Sequence, residues 1–551
     1  MTAFLARNAF AISIAAAATS FLGLFFLYPV LKVFAASVLD PTGTTLTLDN
    51  YRNVLSNGFF LHALANSLGV AAAATGLTIL LGVPFAFCVA RLPIAGKPVL
   101  LALAALPLVL PSFVGAYALV LLLGRAGILT GALHALGIPF GSIYGMKGIV
   151  ITYALTLYPY VVLPAVAAFK SVDAAVEEAA QNLGASRGRM LRTVTLPLVM
   201  PSILAGGLLV FIEALENFGV PAVLAEDQPI LSVEAFKLFV GETADNPAAA
   251  GVLGVVLIAC TVAALLAQRA VLSRGRHATG ARRSTPLMEV SVGLRRLGTA
   301  YCWTVVGLAL VPFAAVVVIS FLAFKGPVLQ YALSLDNFAQ LFQRSYRPLA
   351  NTLVLASVAA AGATLIGVPI GYLVVRRRSR LSALLDAVAT APFAVAGTVL
   401  GIGLILAYGG GPVILTGTAL IMVLAYMVRK LPFSLRASSA ILQQIDPSLE
   451  EASINLGVPP LQTFLRITVP LMLGGIVGGG VLTFVTVASE LSSTVVLYSG
   501  RWTTMTVAMF QALEGTSAGV AAAAATVLIA FTIVPVALVY RLLRRYELSM
   551  L

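Results

Sequence analysis

The sequence predicts an all-α polytopic membrane protein with about twelve transmembrane helices in two homologous six-helix halves. Three observations support this fold class. Mean hydropathy over the 551 residues is +1.01, with 60% hydrophobic and only 10% charged residues. Apolar runs of 18 or more residues recur along the chain, and each is long enough to cross a hydrocarbon core about 30 Å thick. Several motifs of the first half also return in the second. The runs are continuously apolar, which favours helices over the alternating strands of a β-barrel.

The apolar runs define the predicted spans one by one. The first is too long for the hydrophobic segment of a signal peptide, so we interpret it as a true span. The three cysteines show no pair spacing that would suggest a disulfide or a metal site. In chain order, the spans are 9–37, 61–90, 98–124, 148–169, 201–225, 248–272, 299–324, 349–375, 382–408, 413–433, 471–497 and 517–541.

The distribution of basic residues predicts the orientation. With both termini in the cytoplasm, twenty-five of the 34 Lys and Arg residues fall in cytoplasmic segments, Arg91, Arg376, Arg429 and Lys430 among them. Such a bias follows the positive-inside rule. The same rule explains the formal charge of +13, because basic residues collect in the cytoplasmic segments beside the lipid bilayer. A nucleic-acid partner is therefore not needed to explain the charge.

Repeated motifs indicate that the chain is a duplication. LANSL at Leu64 returns as LANTL at Leu349, and GVP at Gly82 returns at Gly367, both 285 residues later. Two polar segments follow an offset of 273, so the first half has about twelve extra residues. Six spans per half make the repeats parallel, with a pseudo-two-fold axis along the membrane normal. The predicted domains are a first transmembrane half at 1–273, a flexible cytoplasmic linker at 274–298 and a second transmembrane half at 299–551.

The two polar segments, which we call the first and second islands, are EEAAQNLGASRGRMLRTVTLPL from Glu177 and EEASINLGVPPLQTFLRITVPL from Glu450. Asp173 and Asp446 are placed to cap a helix in front of each island. Gly184 and Gly457 end that helix, and Ser186 or the Pro459–Pro460 pair opens the next one. A short helix pair between two spans is suited to docking on a soluble cytoplasmic partner.

The islands resemble the EAA motif of ATP-binding-cassette importer permeases of type I architecture. The motif is Glu-Ala-Ala, three residues, Gly, and a later hydrophobic-Pro ending. The resemblance implies a coupling helix in each island that fits a groove on an ATPase subunit. The second island departs at Ser453, Pro459 and Pro460, so the two contacts are not expected to be equal. The ATPase-coupling residues so identified are Glu177, Glu178, Ala179, Ala180 and Gly184, and Glu450, Glu451, Ala452, Ser453 and Gly457.

The same resemblance implies the partners and the location. Two copies of an ATPase subunit would bind on the cytoplasmic side, and a periplasmic or extracellular substrate-binding protein would deliver substrate. The chain itself would need no cofactor, because ATP is bound by the partner subunits. The membrane would be the bacterial inner membrane.

Three further motifs bear on the substrate. Within the family, DNFAQLF at Asp336, ENFGVPAVL at Glu216 and ELSSTVVL at Glu490 are similar to fused ferric-iron importer permeases, so ferric iron is the expected substrate. Fused permeases for thiamine or aminoethylphosphonate, and polyamine permeases, stay open as alternatives.

No catalytic motif is present in the sequence. The single Gly-Lys pair, Gly96–Lys97, is followed by Pro98, so a phosphate-binding P-loop is missing and the chain is not expected to be an ATPase. A membrane-embedded enzyme is therefore disfavoured. An ion-coupled secondary transporter would share the duplicated spans but leaves the paired islands unexplained.

Acidic residues inside the spans are the remaining candidates. Glu213, Glu216 and Asn217 share one helix face in the fifth span, and Glu490 lies opposite Asn217 in the repeat. Because an intramembrane carboxylate is costly, it should face protein or water. We expect these four residues to line the translocation pathway, where acidic groups suit a cation. The alternatives are hydrogen bonding between helices, or a place near the outer membrane surface for Glu216 and Glu490. No metal-ligand set is identified.

Overall fold

The structure, a computed structural model, describes residues 2–40, 44–125, 127–138, 141–241, 246–274, 287–288, 290–325, 328–377, 379–514 and 518–549. The described chain is almost entirely helical, as predicted. Two antiparallel strands, β1 (Leu322–Lys325) and β2 (Val328–Leu333), follow the first helix of the second half, with Leu322 opposite Leu333. Most of the predicted linker lies outside the described residues.

The helices fall in the same order in the two halves. In the first half they are α1 (Thr2–Leu22), α2 (Tyr28–Val38), α3 (Asp49–Ser56), α4 (Gly58–Arg91), α5 (Lys97–Ala105), α6 (Ser112–Leu123), α7 (Ile128–Ala135), α8 (Met146–Leu157), α9 (Pro159–Ser171), α10 (Ala174–Asn182), α11 (Arg187–Met190), α12 (Leu196–Glu216), α13 (Gly219–Leu224), α14 (Leu231–Val240) and α15 (Pro247–Arg274). In the second half they are α16 (Val292–Ser320), α17 (Asp336–Arg376), α18 (Arg380–Thr390), α19 (Gly397–Tyr408), α20 (Ala419–Leu442), α21 (Ser448–Asn455), α22 (Pro460–Thr463), α23 (Val469–Leu471), α24 (Leu473–Ala488), α25 (Thr494–Leu497), α26 (Met505–Glu514) and α27 (Ala518–Ser549).

Short π-helical and 3-10 turns join several of these helices into longer rods. The π turns are Gly23–Leu27, Leu191–Thr195 and Phe464–Thr468, and the 3-10 turns are Leu106–Leu108, Ala391–Ala394 and Gly500–Trp502. The second and third π turns occupy equivalent places at the ends of the two islands.

Fewer helices than predicted are straight, apolar spans. Among the described residues, eight are long and apolar enough to cross a membrane, or up to eleven if each bent pair forms one span. The predicted span 98–124 is broken between α5 and α6, and the predicted span 382–408 bends by 107° between α18 and α19. The predicted span 413–433 corresponds to α20. This helix is too highly charged to count among the apolar spans, because it carries Arg429, Lys430 and Arg436.

Two compact units divide the chain differently from the sequence repeat. The Glu177 unit, named after the first island, comprises Arg52–Glu234 and Val256–Ile319. The Glu450 unit, named after the second, comprises Met1–Tyr51, Ala235–Val255 and Ser320–Leu551. The first helix of each half thus belongs to the unit built mainly from the other half. The boundaries 1–273 and 299–551 remain a prediction about the repeat.

Close helix packing explains why the first helix of each half belongs to the unit built mainly from the other half. In the Glu450 unit, the Tyr408 hydroxyl donates to the Leu24 carbonyl at 2.8 Å, and Gly403 lets α19 approach the backbone of Pro29. In the Glu177 unit, the Tyr301 hydroxyl donates to the Leu81 carbonyl at 2.8 Å.

Candidate coupling and pathway sites

The first island has the helix–glycine–helix form that its sequence predicts. The Asp173 carboxylate accepts from the Ala175 N–H at 3.0 Å and caps α10. Gly184 ends the helix with φ of +84°, a conformation that favours glycine. Ser186 then caps α11, accepting from the Arg189 N–H at 3.4 Å. The second helix runs on through the π turn Leu191–Thr195 into α12, so the island is continuous with a membrane span.

The second island repeats this design. The Asp446 carboxylate accepts from the Ser448 N–H at 2.9 Å, and this bond holds the pKa of Asp446 below its ordinary value. Gly457 ends α21 with φ of +86°, and Pro460 opens α22 as predicted. The π turn Phe464–Thr468 again leads from the island toward the following span.

The first glutamate of each island is buried in an ion pair. Arg91, the last residue of α4, lies 2.5 Å from Glu177, which also accepts from the Thr195 hydroxyl at 2.6 Å. Arg376, the last residue of α17, lies 2.9 Å from Glu450. The glutamates are 7% and 6% exposed, so Glu177 and Glu450 are held inside the protein. Both belong to the ATPase-coupling residues that the sequence predicts.

The exposed face of each island carries the rest of the motif. Glu178 and Glu451 are exposed, as are Ala179 and Ala452. Leu183 is 90% and Leu456 85% exposed, and each comes directly before the helix-ending glycine. Ala180 is half-buried, whereas its counterpart Ser453 is buried and shares a 2.9 Å hydrogen bond with Thr463.

A helix break follows α12 in the first half and α24 in the second. Asn217 ends α12 with extended backbone, and its side-chain oxygen accepts from the Val220 N–H at 3.0 Å. Glu490 occupies the equivalent place after α24, and its carboxylate accepts from the Ser493 N–H at 3.2 Å. Both side chains therefore cap the short helix that follows the break.

The duplicated islands and breaks agree with the family comparison. The family described as "Binding-protein-dependent transport system inner membrane component" matches the chain twice, at residues 78–276 and 363–548. The chain belongs to this family. Each match contains one island, so the duplication predicted from sequence is confirmed, and the protein is a fused permease with two units.

Two relatives match most of the permease, and a third matches less than half of it. The putative ferric transport system permease protein FbpB 1 of Haemophilus influenzae is 29% identical over 86% of this chain and 76% of its own length. The ferric transport system permease protein FbpB of Actinobacillus pleuropneumoniae is 29% identical over 92% of this chain and 74% of its own. The spermidine/putrescine transport system permease protein PotB of Haemophilus influenzae is 34% identical over 40% of this chain and 79% of its own.

The environment of Glu490 corrects one assumption of the topology. Arg429 and Lys430 were counted among the cytoplasmic basic residues, but they lie within α20 and each contacts the Glu490 carboxylate at 2.7 Å. Their side chains are mostly buried. Charge pairing with a glutamate explains their place in the helix, so they carry no information on orientation.

Glu213 and Glu216 of the permease have a different environment. Glu216 is 7% exposed and Glu213 half-buried. Tyr153 and Tyr160 lie within range of electrostatic interaction with both carboxylates. Among the described residues, the fully buried Tyr153 hydroxyl has no hydrogen-bond partner. The span-edge position of Tyr160 fits either a pathway residue or an interfacial anchor, and no signal in the sequence points to Tyr153.

Proposed function

We propose that two copies of a separate ATPase drive this permease by docking on its two islands. The observation that carries the proposal is the shared exposed face of the islands. Val176 and Leu183 are seven residues apart and lie on one side of α10; Leu449 and Leu456 repeat this on α21. A glutamate, Glu178 or Glu451, follows the first apolar residue by two positions and is exposed on another side of the same short helix. A solvated loop would not need the same apolar pair and acid in both halves.

The buried ion pairs support the same proposal. A docking helix transmits force only if it is fixed to the membrane helices, and the Arg91–Glu177 and Arg376–Glu450 pairs provide that attachment. The coupling contact then belongs to Glu178 and Glu451, while Glu177 and Glu450 hold the island in place. ATP is bound by the partner subunits, and this chain supplies no nucleotide site.

The remaining partners follow from this arrangement. The islands and both termini face the cytoplasm of a bacterium, with the permease in the inner membrane. A substrate-binding protein docks on the opposite, periplasmic or extracellular side and releases its ligand to the pathway.

Co-purification with the ATPase tests the coupling role. Leu183→Glu together with Leu456→Glu should abolish co-purification of the ATPase from detergent, because it places a charge in each apolar contact. Glu178→Arg with Glu451→Arg should weaken binding and remove ATP-driven uptake. Asp227→Arg, at an exposed acidic residue outside the islands, is the matched control. Retention of ATPase and transport in both island variants would contradict the proposal.

For the substrate, we propose ferric iron. The two FbpB relatives that cover most of the chain carry ferric transport in their names. The first half also gathers two carboxylates and two phenols at Tyr153, Tyr160, Glu213 and Glu216, all oxygen donors of the kind that hard cations prefer. We propose that Glu213, Glu216 and Asn217 line the pathway in the first half and that Glu490 lies at the equivalent place in the second.

A polyamine is the second candidate, because PotB is similar to part of the chain and a polyamine is also a cation. Thiamine and aminoethylphosphonate are weaker alternatives. Uptake of radioactive ferric iron into cells that express the permease with its ATPase and binding protein separates them. Absence of iron uptake, together with uptake of labelled putrescine, spermidine, thiamine or aminoethylphosphonate, would reject iron as the substrate.

A further inference from the structure

The outer end of α4 is tied to the segment that follows the helix break in the first half. The Asn66 side-chain amide donates to the Pro229 carbonyl at 3.1 Å. The Ser67 hydroxyl accepts from the Leu231 N–H at 2.8 Å and donates to the Ala63 carbonyl of its own helix at 2.8 Å. Leu231 begins α14, so Ser67 satisfies one of the amides that a helix start leaves unpaired.

The outer part of α17 makes the same contacts in the second half. The Asn351 amide donates to the carbonyls of Arg501 and Thr503, both at 3.0 Å. The Thr352 hydroxyl accepts from the Met505 N–H at 2.8 Å, where α26 begins. We call the pairs Asn66–Ser67 and Asn351–Thr352 the outer latches. They belong to the LANSL and LANTL motifs, which sequence analysis used only as markers of the duplication.

A second hydrogen bond connects each latch to the helix break. The Ser232 hydroxyl, next to Leu231, donates to the Asn217 carbonyl at 2.9 Å. The Thr506 hydroxyl, next to Met505, donates to the Glu490 carbonyl at 3.0 Å. An outer latch therefore holds the start of a helix that in turn holds the residue at the break.

The opposite ends of the same two helices hold the islands. Ser67 and Arg91 are 24 residues apart on α4, and Thr352 and Arg376 are 24 apart on α17, which corresponds to about 36 Å of helix. A proline lies seven residues before the arginine in each, Pro84 and Pro369. The spacing of latch, proline and ion pair is identical in the two halves.

We propose that α4 and α17 act as connecting rods that carry movement of the islands to the helix breaks at Asn217 and Glu490. The inner joint of each rod is its Arg–Glu ion pair and the outer joint is its latch. The latch residues are positioning residues, since they act through Asn217 and Glu490. This inference rests on the proposed docking of the ATPase on the islands.

A rod transmits movement only if its outer joint stays closed. Ser67→Ala with Thr352→Ala removes the acceptor of both joints and leaves the islands untouched. We expect this variant to co-purify with the ATPase and to hydrolyse ATP. Stimulation of hydrolysis by the loaded binding protein should fall roughly tenfold, within the range usual for coupling between distant sites. The exchange Ser67→Thr with Thr352→Ser is the matched control, because each half already uses one of the two hydroxyls.

A local probe separates transmission from general stability. A spin label at Asp227→Cys, in a background without the three native cysteines, lies two residues before Pro229. Trapping the ATPase with ATP and vanadate should change the spectrum of this label in the parent protein and in the Ser–Thr exchange variant, but not in the double alanine variant. An unchanged response in the double alanine variant would overturn the proposal. A response lost equally in the exchange variant would assign the residues to packing alone.

A crosslink tests whether the joint stays closed. Ser67→Cys with Leu231→Cys, oxidised to a disulfide in the background without native cysteines, should leave ATPase stimulation intact. Loss of stimulation on oxidation, recovered on reduction, would show that the contact has to open and that the rod is the wrong description. If the parent protein binds no ATPase, the proposed function fails, and that result is visible before any latch variant is compared.

Discussion

Arg429 and Glu490 form a buried ion pair, with Nη1 and Oε1 2.7 Å apart, where the first half has a neutral hydrogen bond. In the first half, the Asn217 amide donates to the Ser112 hydroxyl at 3.0 Å. The repeat places Glu490 opposite Asn217 and Gly397 opposite Ser112. A Cβ at Gly397 would collide with the Arg429 guanidinium, so the loss of the serine side chain makes room for the cation. The two helix breaks are thus held by different chemistry in the same geometry.

Removing Glu490 should be much more damaging than removing Asn217. Glu490→Ala leaves Arg429 and Lys430 buried without their counter-charge, which costs about 3–5 kcal/mol. Asn217→Ala removes neutral hydrogen bonds worth about 1 kcal/mol each. Thermal unfolding in detergent, followed by loss of monodisperse protein, measures the difference. Equal destabilisation by the two changes would show that the ion pair is not desolvated as described.

The first half supplies the control for this prediction. Gly397→Ser, Arg429→Thr, Lys430→Leu and Glu490→Asn together rebuild in the second half the neutral set found in the first. The combination should recover most of the stability lost in Glu490→Ala, because no buried charge remains. A combined variant as unstable as Glu490→Ala would mean that the two breaks are not structurally interchangeable.

Adjacent glutamates of the first island should have opposite phenotypes. Glu177→Ala leaves Arg91, which is 2% exposed, as an uncompensated buried charge, and should destabilise the protein by about 3–5 kcal/mol. Glu178→Ala removes an exposed side chain and should change stability by less than about 0.5 kcal/mol while weakening ATPase binding. Unfolding and co-purification are measured on the same preparations. Reversed effects would assign the partner contact to Glu177.

The second island should tolerate replacement of both Ser453 and Thr463, but not of Ser453 alone. Ser453→Ala introduces the alanine of the first island and leaves the buried Thr463 hydroxyl without its partner, at a cost of about 1–3 kcal/mol. Adding Thr463→Met, the residue that Met190 provides in the first island, replaces both hydroxyls and should restore stability. The melting temperatures of the single and double variants test this; a double variant below the single one would refute it.

The sequence was sufficient for features with a local cause. The island helices and their ends follow from caps and glycines within a few residues, and Asp173, Gly184, Asp446 and Gly457 all do what their positions predict. The duplication was also visible, because two sets of motifs keep a constant offset. The helical class followed from composition alone.

Contacts distant in sequence were not predictable in this way. Arg91 and Glu177 are 86 residues apart, and hydropathy gives no sign that a basic residue at a span end is buried in an ion pair. Arg429 and Lys430 looked like cytoplasmic charges for the same reason, since their partner Glu490 lies 60 residues further on. The repeat itself held a usable signal: Arg91 and Arg376 recur together with Glu177 and Glu450, which is expected of residues in contact.

Tyr153 and Tyr426 occupy equivalent positions and give the sharpest test of the substrate proposal. The Tyr426 hydroxyl pairs with the Thr494 hydroxyl at 2.8 Å, whereas Pro221 stands at the position of Thr494 in the first half. Tyr426→Phe should therefore cost about 1 kcal/mol, the net worth of one hydrogen bond, because the Thr494 hydroxyl keeps its bond to the Glu490 carbonyl at 2.7 Å. It should have no specific effect on the cation. Tyr153→Phe removes a hydroxyl without a partner in the described structure, so it should leave the melting temperature unchanged or raise it. Its initial rate of ferric iron uptake should nevertheless fall, because the proposed pathway loses one of its two phenol oxygens. Uptake unchanged in a stable Tyr153→Phe variant would remove this cluster from the pathway.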